Sequence, residues 1–146
     1  MSTSINGQIC YGIKFPDGYV FPWYNDIEKW WRNENGYEKP FELYDESDES
    51  VKPPQEKIDE YYDHLHKWED EHRMPVSLVN YQSCDDPLWI ITVPSSEIYA
   101  QCGYPQEFFP LDFNIKGKDI LSLLNFCDKY QLVGEGPCWW LSSYWG

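Results

Sequence analysis

The sequence lacks the short motifs that mark common catalytic and cofactor-binding sites. Its nine glycines are scattered, and neither Gly-x-Gly-x-x-Gly nor a P-loop occurs. Its five cysteines include no Cys-x-x-Cys pair, which argues against a structural zinc site. There is no Gly-x-Ser-x-Gly nucleophile motif either. We therefore expect a non-catalytic protein with no cofactor, no catalytic residues and no metal ligands.

Long apolar runs are missing as well. No stretch approaches the roughly 20 apolar residues of a membrane-spanning helix. The opening MSTSINGQIC has neither the basic nor the apolar region of a secretory signal. These features predict a cytoplasmic protein whose cysteines are reduced and serve as small core residues.

Basic residues are scarce, with 11 Lys and Arg against 25 Asp and Glu, so the net charge is −14. A negative field of this size repels nucleic acid and anionic membrane surfaces. It attracts basic proteins, because opposite fields speed encounter and disfavour wrong partners. We expect a basic, nucleic-acid-handling protein as partner, and no direct binding to nucleic acid or membrane.

Aromatic residues are abundant, with eight Trp, twelve Tyr and seven Phe in 146 residues. Such a chain can bury a bulky core, and its length fits a single domain over residues 1–146. The pairs Trp30-Trp31 and Trp139-Trp140 could stack on a sugar. Adjacent residues rarely form a coplanar platform, however, so we expect one tryptophan of each pair to enter the core.

Hydrophobic periodicity predicts both strands and helices. Asn25 is a candidate helix N-cap, and Gly36 is a candidate helix C-terminus. Because hairpin-like strands are mixed with separate helices, we expect an α+β fold with an antiparallel sheet of four to six strands and two or three helices. The predicted strands are 8–15, 19–21, 76–82, 88–93, 96–102 and 138–145, and the predicted helices are 26–35, 53–72 and 118–130.

Negative charge is concentrated between Glu42 and Glu71, which hold twelve acids and three bases. The segment begins in an acidic loop, 38–52, and continues along the helix after Pro53. It can form one acidic surface that binds a partner, or it can simply keep an aromatic-rich chain soluble. The candidate partner-binding residues are Asp45, Glu46, Asp48, Glu49, Glu56, Asp59, Glu60, Asp63, Glu69, Asp70 and Glu71.

Metal binding by this segment is not expected. Asp45 and Asp48 lack the glycine and the terminal glutamate of an EF-hand loop. Glu69 and His72 have the Glu-x-x-His spacing of di-iron bundles, but the chain holds one copy where those bundles use two.

A rigid row of carboxylates can present charge roughly as phosphates do, which is the physical basis of nucleic-acid mimicry. In size, charge, and the stretches GQICYGIKF and WWLSSYWG, the chain resembles small acidic accessory proteins of bacteriophages and mobile elements. That resemblance implies an inhibitor of a host restriction or CRISPR nuclease and carries no site residues with it. Two alternatives remain open: an immunity protein or antitoxin that neutralises a basic toxin, and a small aromatic-lined ligand-binding domain or enzyme.

Overall fold

A computed structural model describes residues 5–37, 52–73, 75–83 and 87–145. Most of the predicted acidic loop, 38–52, lies outside the described residues. The described part contains five strands and three helices, which confirms the α+β class.

The chain divides into two compact units. We call them the sheet unit, Met1–Tyr19 with Arg73–Gly146, and the helical unit, Val20–His72. The assignment of residues 1–146 to a single domain stays a prediction. Within the described residues, no helix combines the length and the apolar character needed to cross a bilayer.

The strands of the sheet unit pair in the order β3-β2-β5-β1-β4, and β1 also pairs with β3. The second pairing of β1 closes β1, β5, β2 and β3 into a ring. All pairings are antiparallel except a short parallel contact between the ends of β2 and β5. The strands are β1 (Ile5–Lys14), β2 (Ser77–Ser83), β3 (Pro87–Thr92), β4 (Ile98–Ala100) and β5 (Glu135–Trp145).

The last strand, β5, is central in the sheet, because it lies between β1 and β2. From Glu135 to Ser143, where burial is described, its side chains are not core residues, however, and Leu141 is 81% exposed. Trp139 packs edge-on against Tyr11, and the Trp140 indole N–H donates to the Gly12 carbonyl at 2.9 Å. Both tryptophans remain half-exposed, so the prediction that one would enter the core is wrong for this pair.

The core of the sheet unit contains side chains from the strands and from helix α3 (Gly117–Lys129), including Phe15, Ile90 and Leu123. Cys10 and Cys127 are also buried, which confirms for these two that cysteine serves as a small core residue. Burial raises the pKa of the Cys10 thiol to about 12 and that of the Cys127 thiol to about 11. Both thiols are therefore poor nucleophiles at neutral pH.

The other two described cysteines, Cys102 and Cys138, are exposed. All four cysteines in the described part of the chain are free thiols.

The helical unit contains α1 (Pro22–Asn35) and α2 (Gln55–His72). Helix α1 begins earlier than predicted, because Phe21 is the N-cap residue and Pro22 sets the helical backbone at the first position. The predicted N-cap at Asn25 and the predicted strand 19–21 are therefore wrong. The predicted C-terminus is confirmed: Gly36 adopts φ 69° and its N–H donates to the Arg32 carbonyl.

Replacing Gly36 by alanine is expected to lower the free energy of unfolding of the helical unit by about 1 kcal/mol. Strain alone causes the loss, since a Cβ at Gly36 would meet no atom within 4 Å. Gly36→Asn should recover part of the loss, because asparagine tolerates the left-handed region. Urea denaturation followed by far-UV circular dichroism measures the difference.

Gly117→Ala is the matched control for this substitution. Gly117 opens helix α3 and lacks a positive φ, and a Cβ there would also meet no atom within 4 Å. The substitution should leave stability unchanged or raise it slightly. Equal losses at Gly36 and Gly117 would contradict the backbone-strain account.

Candidate functional site

The predicted site residues that the structure describes lie on α2, whose inner face packs within the helical unit. Tyr61 and Leu65 are buried on this face, with Glu69 one turn further along. The spacing of four residues places all three on one side of the helix. The opposite side is left for the exposed acids.

Trp31 of α1 holds α2 in place. Its side chain is 0% exposed, and its indole N–H donates to the Lys57 carbonyl at 2.9 Å. Its ring stacks on Tyr37 at 4.6 Å and meets Tyr61 edge-on at 6.0 Å between centroids. The neighbouring Trp30 is half-exposed, so the prediction that one member of the pair enters the core is confirmed here.

Two further aromatic stacks join α1 and α2. Trp23 of α1 stacks on Trp68 of α2, with ring centroids 4.9 Å apart, and Trp30 of α1 stacks on His64 of α2 at 3.9 Å. Within α2, Trp68 also stacks on His72 at 4.3 Å. Stacked rings add to burial energy and restrict sliding of one helix on the other. The acids on the outer side of α2 are therefore carried by a well-supported helix.

All three histidines are engaged in ring stacking, since the His66 ring also stacks on Tyr62, with centroids 6.3 Å apart. Among the described residues, no group of three or more His, Cys, Asp or Glu side chains could hold a metal ion.

Four exposed carboxylates form a line along the outer side of α2, which we call the acidic row: Glu56, Asp59, Asp63 and Asp70. At 100° per residue these positions fall within about 60° of one another around the helix axis. At 1.5 Å of rise per residue the row is about 21 Å long. Its spacing is fixed by the helix.

Few basic groups lie beside the acidic row on α2. Lys67 is exposed and lies at its edge, and Lys57 Nζ lies 3.1 Å from Glu60 Oε2. The Gln55 amide donates to Asp59 Oδ1 at 2.9 Å, which orders that carboxylate without neutralising it. Exposed ion pairs contribute less than about 1 kcal/mol and are screened by salt. The outer side of α2 therefore keeps a net negative charge.

The remaining predicted site residues are placed differently. Glu71 is exposed and Glu60 is half-exposed. Glu69 is only 5% exposed and lies 3.9 Å from His66 Nδ1, so it does not extend the acidic row. Its spacing from Tyr61 and Leu65 already indicated the inner face. The other four predicted acids lie outside the described residues: Asp45, Glu46, Asp48 and Glu49.

The acidic segment, residues 42–71, lies entirely within the helical unit. The helical unit holds sixteen acids and six bases, while the sheet unit holds nine acids and five bases. The net charge is therefore −10 on the helical unit and −4 on the sheet unit. The negative field is centred on the helical unit.

A polar groove in the sheet unit was not predicted. It has a volume of about 260 Å³ and adjoins β1, β2 and β4. The signal in the sequence was the alternation of polar residues. It places Asn6 and Gln8 on one face of β1. It also places Glu97 and Tyr99 on one side of the segment that contains β4. The alternating apolar residues of β1 predicted the position of this strand but not the groove.

Comparison with known proteins adds nothing to the geometry described above. No protein-family model matches the sequence, and no curated protein or solved structure is significantly similar to it. The resemblance to phage accessory proteins therefore stays a prediction, and a function for this chain rests on its own residues.

Proposed function

We propose that the protein is a non-catalytic, cytoplasmic inhibitor that uses the acidic row to occupy the nucleic-acid-binding surface of a basic protein. The observation that supports the proposal is the acidic row itself, with four exposed carboxylates on one side of a helix. A solvated helix that serves only solubility usually mixes charges to gain (i, i+4) pairs. In the acidic row only Asp63 has a base, Lys67, at the (i, i+4) position on α2.

The length and rigidity of the row suit this role. A single nucleic-acid strand advances about 3.4 Å per phosphate, so a row of about 21 Å spans about six phosphate steps. Lysine and arginine side chains arranged for a phosphate backbone can reach carboxylates over the same distance. Because α1 holds α2 through Trp31, little ordering of the helix is needed on binding.

An aromatic side chain lies beside the row and can serve as an anchor. Tyr62 is 45% exposed and lies one turn from Asp59 along α2. Carboxylates on the rim of an interface add mainly to association rate and specificity, whereas a buried tyrosine adds affinity. The proposed interface therefore combines the acidic row with Tyr62.

Neutralising the acidic row is expected to weaken partner binding by about 10-fold to 1,000-fold, because each of the four lost charge pairs removes from a few tenths to about 1 kcal/mol. The variant carries Glu56→Gln, Asp59→Asn, Asp63→Asn and Asp70→Asn. The partner is isolated from a lysate at low salt, identified, and titrated as a pure protein at several salt concentrations. We expect duplex DNA or RNA to compete with binding, and the variant to lose most of the salt dependence.

The control variant removes the same number of charges from the sheet unit. It carries Asp17→Asn, Glu107→Gln, Asp128→Asn and Glu135→Gln, all at exposed positions. It should bind within about threefold of the unmodified protein, since these carboxylates lie outside the proposed interface. Equal losses in both variants would show that total charge alone matters, and would overturn the assignment to the row.

The immunity-protein or antitoxin alternative predicts a different competition result. A toxin held through a surface that does not bind nucleic acid would be released by salt but not by DNA or RNA. If binding depends on the acidic row but nucleic acid does not displace the partner, the immunity-protein or antitoxin function is favoured over nucleic-acid mimicry.

A further inference from the structure

The polar groove of the sheet unit contains a buried side chain that lacks part of its hydrogen bonding. Gln8 lines the groove and is only 6% exposed. Its amide nitrogen donates to the Asn80 carbonyl at 3.0 Å, which fixes the orientation of the amide. In the described part of the chain, its oxygen Oε1 accepts no hydrogen bond from a protein donor and keeps contact with solvent in the groove. A carbonyl oxygen at the wall of a groove can accept a hydrogen bond from a ligand.

A carboxylate lies in the same groove. Glu97 is half-buried, and its Oε1 accepts a hydrogen bond from the Thr92 hydroxyl at 3.1 Å. The salt bridges seen among the described residues do not include Glu97. The groove-lining residues include no lysine, arginine or histidine. The Tyr99 hydroxyl also donates a hydrogen bond to Glu97, so this carboxylate has hydrogen-bond donors but no cationic partner among the described residues.

An aromatic ring completes the groove. Tyr99 lies opposite Gln8 in the pairing of β4 with β1 and also lines the groove. Partial burial and the nearby Glu97 charge raise the pKa of the Tyr99 hydroxyl to about 12, so the hydroxyl is neutral at physiological pH. The side chain is 52% exposed, so its ring can lie against a planar cation.

Three groups of the groove can accept hydrogen bonds from a ligand, beside the side chains of Asn6, Ser77 and Asn80, which also carry donors. Gln8 Oε1 and the Glu97 carboxylate accept hydrogen bonds, and the Tyr99 hydroxyl can do so. Anionic ligands are disfavoured by Glu97 and by the net charge of −14. The complementary ligand is a cation with several N–H donors.

The size of the groove limits what can enter. At about 30 Å³ per water molecule, 260 Å³ holds about nine waters. This volume is large enough for a guanidinium group with a short alkyl stem. An ammonium group would place three donors at one point, whereas guanidinium spreads five donors over a plane and stacks on aromatic rings.

We propose that this groove is a binding site for a guanidinium group, with Glu97 as the counter-charge, Gln8 Oε1 as an acceptor and Tyr99 as the stacking surface. The guanidinium can belong to a free small molecule or to an arginine side chain of a peptide. The site is separate from the acidic row, because all of its residues belong to the sheet unit.

Isothermal titration with L-arginine and L-citrulline tests the proposal. Citrulline has nearly the same shape but carries a neutral urea in place of guanidinium. We expect arginine to bind at least tenfold more tightly than citrulline. Agmatine and the tripeptide Gly-Arg-Gly distinguish the source: a site for free small molecules prefers agmatine or arginine, and a site for a side chain within a peptide accepts the tripeptide equally well.

Two variants complete the test. Glu97→Gln should weaken arginine binding at least tenfold, while Glu107→Gln, at an exposed position outside the groove, should leave it unchanged. Tyr99→Phe keeps the aromatic ring and should retain most of the affinity for arginine. This variant provides a second test of the site if Glu97→Gln lowers the stability of the protein. Equal binding of arginine and citrulline, unchanged binding by Glu97→Gln, or no binding of any probe would overturn the proposal. Neutralising the acidic row should not affect arginine binding, so the two proposals can fail separately.

Discussion

Replacing Trp31 by alanine is expected to destabilise the helical unit by about 3–5 kcal/mol, the usual cost of truncating a fully buried tryptophan. Trp31 is 0% exposed and packs against Tyr37 and Tyr61. The substitution also removes the 2.9 Å hydrogen bond to the Lys57 carbonyl. A small unit has a total stability of about 5–15 kcal/mol, so this loss is a large part of it. Guanidinium denaturation followed by far-UV circular dichroism measures the change.

Trp30→Ala is the matched control, because it makes the same chemical change one residue earlier. Trp30 is half-exposed and stacks on His64, so its loss should cost about 1 kcal/mol. Trp31→Phe retains a ring but not the indole N–H and should fall between the two. A cost for Trp30→Ala that matches or exceeds that for Trp31→Ala would show that the wrong tryptophan was assigned to the core.

Replacing Gly12 by alanine is expected to destabilise the sheet unit by more than about 3 kcal/mol, at the upper end of overpacking effects. A Cβ at this position would overlap the Ile91 carbonyl oxygen and lie 2.9 Å from Thr92 Cα. These are backbone atoms and have no easy way to move aside. Gly12 pairs with Thr92 where β1 meets β3, and this pairing closes the ring of strands. Thermal unfolding and the dispersion of amide NMR signals would both report the loss.

Gly7→Ala tests the same substitution in the same strand without the clash. No atom lies within 4 Å of a Cβ at Gly7, so its effect on stability should stay within about 0.5 kcal/mol. Similar melting temperatures for the two variants would contradict the close approach of β1 to β3 at Gly12.

Local patterns predicted most of the secondary structure. The alternation around Ile9 and Ile13 indicated β1, and the hairpin-like runs on either side of residues 84–86 indicated β2 and β3. Gly36 indicated the end of α1 because a left-handed C-terminal residue favours glycine. Each of these signals arises from residues close together in sequence.

The start of α1 was missed for a local reason as well. Asn25 has the chemistry of an N-cap, but Pro22 begins the helix a turn earlier, with no side-chain cap at Phe21. The aromatic residues between them are buried or half-buried within the helical unit. Packing of Phe21 and Trp23, stacked at 4.6 Å, therefore outweighed capping chemistry.

The candidate site was predicted in part. The positions of Glu56, Asp59, Asp63 and Asp70 on one side of α2 follow from the helical period. The burial of Glu69 also follows from its spacing, yet acids are so rarely buried that composition suggested the surface. The polar groove depends on β1, β2 and β4 meeting from distant parts of the chain, which no local pattern encodes.

The sequence by itself determined the charge of this protein, the α+β class, and the line of acids along α2, because composition and periodicity act within a few residues. Only the tertiary structure decided that Trp31 rather than Trp30 enters the core, that β1 pairs with β3 to close the ring, and that Gln8 and Glu97 share a groove. These outcomes depend on contacts between residues far apart in the chain, where packing selects among arrangements that local preferences leave equal.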